Sequence, residues 1–135
     1  MSQKGTVDLR RLFLHVEAVV GLLADQDISY YRVAHQDMAG AGLCRDASDE
    51  LAVELRRLGW EPRVHYTNVV TDLHMSPWYP GTDNEESRSS LFVHCVCLVI
   101  IGDWLWVIDL TAGQFDGNGF KAPFPYIFPL RQERP

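Results

Sequence analysis

A chain of 135 residues, 47% hydrophobic and 22% charged, has the size and make-up of one globular domain with a true core, spanning residues 1–135. Its formal net charge of −6 leaves no electrostatic footing for nucleic acid or an anionic membrane, and no basic run or basic amphipathic stripe offsets it. Three cysteines make a poor disulfide framework, so a reducing, cytoplasmic setting is expected.

Residues 1–6 lack the apolar stretch of a signal peptide, so no secretion is expected. From about residue 7 to 24, Leu9, Leu12, Phe13, Val16, Val19, Val20 and Leu23 recur at helical spacing and predict an amphipathic helix. Asp8 in its first turn suits the helix dipole, and Gly21 weakens its last turns. Residues 25–43 are mixed. Ile28, Tyr30, Tyr31 and Val33 fit either a short strand or another helical turn, and residues 38–43 are small and flexible.

A second helix is predicted to start near Cys44. Its buried stripe is Ala47, Leu51, Leu55 and Leu58, its stop is Gly59, and Arg56 and Arg57 suit its last turn. Residues 63–71 read as a strand carrying Val64, Tyr66 and Val69. Residues 74–90 form a long loop rich in Pro, Gly, Ser and acidic residues, with Trp78 and Tyr79 in its middle; a loop this long is functional or disordered. Residues 91–101 are apolar on both faces, which predicts a central strand, far too short to span a bilayer. Gly102 and Asp103 make a turn, residues 104–110 return as a strand, and the proline-rich, aromatic residues 120–130 read as an extended edge segment.

Three residues stand out chemically. Cys44 opens a helix, where partial positive charge and free N–H groups favour a thiolate and can bind an oxyanion. Taken alone, such a cysteine is more often a small buried residue. His94 and Asp109 supply a second signal. If Ile101 pairs with Trp104 across the turn, Leu98 faces Val107, Val96 faces Asp109 and His94 faces Thr111. His94 and Asp109 then project from one face as diagonal neighbours, roughly 7–8 Å apart at the backbone. Both lie in otherwise apolar strands, so mutual pairing spares each an unsatisfied burial. A carboxylate so placed holds an imidazole in one tautomer. A thiol plus an oriented imidazole is the minimum for nucleophilic acyl transfer.

The stretch Gly42-Leu43-Cys44-Arg45-Asp46, running into a leucine-rich helix, resembles the cysteine helix of papain-like and transglutaminase-like proteins. Residues 93–115, from Val-His-Cys-Val-Cys to Ile-Asp-Leu-Thr-Ala-Gly-Gln-Phe, resemble their histidine hairpin, and the ending is similar to bacterial papain-fold glutamine deamidases. The resemblance covers roughly residues 40–116 and implies an α+β fold, with a nucleophile helix packed on an antiparallel sheet. It implies Cys44 as nucleophile, His94 as base and Asp109 as orienter, without a cofactor. The substrate expected is a protein or peptide amide, and the reaction is glutamine deamidation, peptide cleavage or acyl transfer through a thioester on Cys44. Gln36 is a candidate oxyanion-hole glutamine, with the backbone N–H of Cys44 as the alternative, and Trp78 and Tyr79 are candidate substrate contacts. Cys95 stands where many such proteins have an aromatic or small residue beside the histidine.

Other readings of these residues are weaker. Strand alternation points His94 away from Cys95 and Cys97, and no Cys-x-x-Cys knuckle occurs, so no metal site is expected. His65 and His74 near Asp72 read as surface residues, and Glu50 with Glu54 as a solvated helix face. Trp104 and Trp106 read as core rather than a stacking platform for bases. The acidic residues at 81–86 fit a basic or peptide partner as well as a solvated loop. The alternative to an enzyme is a non-catalytic protein- or peptide-binding module that keeps the fold.

Overall fold

The computed structural model describes residues 3–25, 44–69, 73–80, 93–115, 117 and 119–131. Residues 38–43, the sequence around Gln36 and the acidic stretch at 81–86 lie outside them.

Helix α1 spans Gln3–Asp25. Leu12, Val16, Val19 and Leu23 are buried at its helical spacing, with Leu9 and Val20 packed beside them. Phe13 is a rim residue, 38% exposed, its ring edge-on to Trp106. The helix starts four residues before the expected residue 7, because polar residues can extend a helix that its buried face already holds. Asp8 therefore sits beyond the first turn, and it pairs with Arg11 at 3.6 Å instead of facing the helix dipole.

Helix α2 spans Cys44–Arg57 and buries Cys44, Ala47, Ser48, Leu51, Ala52 and Leu55. Its end is a Schellman cap. Gly59, at φ +94°, donates its N–H to the Arg56 carbonyl at 3.1 Å, and the Trp60 N–H reaches the Leu55 carbonyl at 3.0 Å. This turn swings Leu58 outward to 42% exposure, so it leaves the buried stripe it was expected to extend, and Ala52 lies there instead. Trp60 ties the end of α2 to α1, donating Nε1–H to His15 Nδ1 at 2.9 Å beneath the Arg11 guanidinium.

Four strands form one antiparallel sheet in chain order: β1 Arg63–Asn68, β2 Val93–Ile101, β3 Trp104–Asp109 and β4 Tyr126–Arg131. Two turn residues suffice between β2 and β3 because Gly102 adopts φ +62°. Ile101 pairs with Trp104 and Leu98 with Val107, the register expected from the sequence. β1 ends at Asn68, short of the expected residue 71. β4 is the edge strand at the end of the proline-rich segment and tolerates Pro129 there.

The sheet is covered on both sides, which explains why β2 is apolar on both faces. Cys97, Val99 and Ile101 join Trp106 and Ile108 in a core against α1 and α2. Val96, Leu98 and Val107 face a second core with Met75, Tyr79, Phe115, Tyr126 and Phe128. The architecture is α+β, two helices and a four-stranded antiparallel sheet among the described residues. No helix among them is long and apolar enough to cross a membrane.

Candidate active site

Cys44 is the first residue of α2. One turn on, the Ser48 hydroxyl donates to the Cys95 carbonyl at 3.1 Å, fastening the start of the helix to the start of β2. That places the Cys44 thiol beside the His94 ring and the Cys95 backbone, close enough for both to act on its proton. Burial pushes the thiol pKa up. The His94 hydrogen bond and charge and the Cys95 backbone outweigh it, and the thiol is held below its ordinary 9.0.

His94 is wholly buried. Its Nε2 lies 2.7 Å from Asp109 Oδ2, so the nitrogen left for Cys44 is Nδ1. Burial alone would lower its pKa. The Asp109 charge and hydrogen bond, with smaller contributions from Cys44, reverse this and push it up from 6.5 to about 9. A lowered thiol facing a raised imidazole favours the thiolate–imidazolium form of the pair.

The Asp109 carboxylate accepts from several donors, and its side chain is wholly buried. Oδ2 accepts from His94 and from the Tyr79 hydroxyl, both at 2.7 Å. Oδ1 accepts the Thr111 N–H at 2.9 Å, with the Thr111 hydroxyl at 3.4 Å. A buried carboxylate is tolerable only when its oxygens are satisfied in this way. Phe115 presses its ring on His94 at 4.8 Å and 90°, closing another side of the imidazole to water.

Sequence reasoning missed three of these contacts. Ser48 lies four residues after Cys44, on the same helix face, and that spacing was available as a signal. Thr111 follows Asp109 by two residues, the spacing at which an aspartate side chain bonds to its own backbone. Tyr79 was expected to face a substrate, but it is 1% exposed and stands behind Asp109. An aromatic pair in a polar loop reads as surface; here both rings fill the second core. Trp78 is half-buried, stacked on Phe128 at 5.0 Å, and its carbonyl accepts the Tyr126 hydroxyl at 2.6 Å. The flanking Pro77 and Pro80 were the usable signal, since prolines stiffen a segment that must be placed.

The other two cysteines are of a different kind. Cys95 and Cys97 are fully buried, and burial pushes their thiols up to about 11 and about 12. Cys97 belongs to the helix-side core, on the sheet face opposite His94. Half-buried His65 lies on β1, and exposed His74 adopts φ +55° just before Met75. Among the described residues no three His, Cys, Asp or Glu side chains gather as metal ligands. Gln36 lies outside the described residues. No family model, curated protein or solved structure matches the chain.

Proposed function

We propose that the protein catalyses cysteine-dependent acyl chemistry on an amide, with Cys44 as nucleophile, His94 as acid and base, and Asp109 as orienter. The observation that carries this reading is the 2.7 Å contact of His94 with the buried Asp109, with the Cys44 thiol beside the same imidazole. A histidine buried only to satisfy a carboxylate would not also hold a thiol with a lowered pKa at the start of a helix.

In the first half-reaction the Cys44 thiolate attacks the amide carbonyl carbon. The C–N bond breaks, His94 gives its Nδ1 proton to the departing amine, and a thioester remains on Cys44. In the second, His94 takes a proton from the incoming water or amine, which attacks the thioester and releases the Cys44 thiolate. Water as acceptor gives deamidation of glutamine or peptide cleavage, and an amine gives acyl transfer. The backbone N–H of Cys44, at a helix N-terminus, is the oxyanion donor this reading favours. The papain-like or transglutaminase-like fold belongs to the same proposal. It is supported by a nucleophile helix on an antiparallel sheet, with cysteine, histidine and aspartate in that chain order. Three free cysteines favour a reducing, cytoplasmic setting.

The test is iodoacetamide labelling of the full chain across pH, read by peptide mass spectrometry, followed by assays for ammonia or amine release from glutamine-containing peptides. Rapid, selective modification of Cys44 well below the ordinary thiol pKa is expected. Slow labelling with an ordinary thiol profile would replace the enzyme with a non-catalytic binding module.

A further inference from the structure

We infer that Tyr79 is a positioning residue of this site: its hydroxyl occupies Asp109 Oδ2 beside His94 and tempers the pull of the carboxylate on the imidazole, so that His94 can release its proton. The inference rests on the acid–base role proposed for His94. It goes beyond that role by adding a fourth residue, from a segment the three-residue scheme does not use.

The geometry is specific. Two donors converge on one oxygen, the Tyr79 hydroxyl and His94 Nε2, each at 2.7 Å. A carboxylate oxygen that shares its charge with a phenol has less to give an imidazolium. The phenol is placed deliberately. The chain enters its segment through two consecutive non-glycine residues in the left-handed region, Leu73 at φ 53° and His74 at φ 55°. A 3-10 turn, Ser76–Trp78, follows, closed by the Trp78 N–H on the Met75 carbonyl at 2.9 Å. From β4, Tyr126 donates its hydroxyl to the Trp78 carbonyl, and Phe128 stacks on the Trp78 ring. The Tyr79 ring itself stands edge-on to His94, Phe115, Tyr126 and Phe128. Burial and the neighbouring Asp109 charge push the Tyr79 phenol well above its ordinary range, so it remains a donor wherever His94 titrates.

Among the described residues, the titratable groups that face His94 include Asp109 from β3, Cys44 from α2 and Tyr79 from the segment before β2, and Phe115 packs on the ring. Tyr126 of β4 stands against Tyr79, and β1 brings Thr67 to the register position opposite His94. His94 already titrates at about 9, high for a base that must cycle its proton near neutral pH. Burial opposes a further rise, and the Tyr79 hydroxyl, sharing Oδ2 with His94, adds to that opposition.

The experiment is an NMR titration of the His94 ring in the full chain carrying Cys44→Ala, so that no thiol titrates beside it. The His94 signal is assigned by its loss in His94→Asn. In Tyr79→Phe the His94 pKa should rise by about one unit, a tenfold gain in proton affinity. Replacing Tyr79 with 3-fluorotyrosine, a more acidic phenol of nearly the same shape, should move it down. A merely structural tyrosine would change the melting temperature and leave both titrations in place. An unmoved or lowered His94 pKa in Tyr79→Phe, or shifts of the same sign in both variants, would overturn the inference. If Tyr79→Phe does not fold, the fluorotyrosine shift decides alone. The readout needs no turnover, so it stands apart from the labelling of Cys44 that tests the enzymatic reading.

Discussion

His94 Nε2 and Asp109 Oδ2 stand 2.7 Å apart with neither side chain reached by solvent. A hairpin with a two-residue turn carries both, and everything proposed for the site depends on that contact keeping Nδ1 turned toward Cys44. Asp109→Asn is its direct probe. An asparagine amide can donate to Nε2 and favour the wrong tautomer, while preserving shape. In a serine-protease triad the equivalent change removes about 10⁴-fold of turnover. A thiolate is a better nucleophile, so the loss here should be smaller, on the order of 10–10³-fold, with apparent substrate affinity little changed. The pH profile of Cys44 alkylation should shift upward. An unmoved profile in a variant shown to be folded would remove Asp109 from the mechanism.

Cys95→Ala and Cys97→Ala should act on stability and leave labelling of Cys44 intact. Both thiols are fully buried and their pKa values are pushed up, so they offer packing and little reactivity. Each truncation should cost about 1 kcal/mol, read by urea denaturation. Loss of thiol labelling in Cys95→Ala, with labelling retained in Cys44→Ala, would identify Cys95 as the nucleophile instead.

Ser48→Ala tests the fastening of α2 to β2. It deletes the 3.1 Å bond to the Cys95 carbonyl and leaves a buried acceptor short of a partner. A loss of about 1–3 kcal/mol is expected. Because Ser48 also sets where Cys44 stands against His94, the alkylation rate near neutral pH should fall as well. A stability loss with an unchanged alkylation rate would mean that the helix start is held by other contacts.

Stability should depend on pH in a way that separates the two members of the pair. The folded pKa of His94, about 9, lies above its ordinary 6.5. Its contribution is full below 6.5 and is lost as pH rises through about 9. Cys44 has a folded pKa below its ordinary 9.0, so its contribution is present above 9.0 and is lost as pH falls through the folded value. Within 6.5 to 9, the two trends oppose each other wherever the pH lies above the folded value of Cys44. Cys44→Ala removes the rising one, so the stability of that variant should fall with pH across this window while wild type stays flatter. Denaturant midpoints measured from pH 6 to 10 read this directly. A Cys44→Ala curve parallel to wild type would mean that the thiol and imidazole do not share a proton.

Two kinds of information met at this site, and only one was legible in the sequence. Backbone periodicity was. Alternation along β2 and β3, counted from the Gly102–Asp103 turn, put His94 and Asp109 on one face, and the 3.6-residue repeat after Cys44 defined the buried side of α2. These follow from chain geometry within one element or one hairpin, so neighbouring residues carry the whole signal. The helix start at Gln3 and the turning-out of Leu58 fell at element ends, where the periodic signal stops before the structure does. Tyr79 and the Ser48 bond to β2 belong to the other kind. Tyr79 reaches Asp109 across 30 positions, and Ser48 reaches Cys95 across 47. No local period encodes either contact. Tertiary packing alone decided which side of the sheet the helices cover, and so which face of β2 was left for Tyr79 to close over His94 and Asp109. That choice depends on how side chains from distant segments fill the space on each face, and a buried carboxylate accepts only a donor that this packing brings to it.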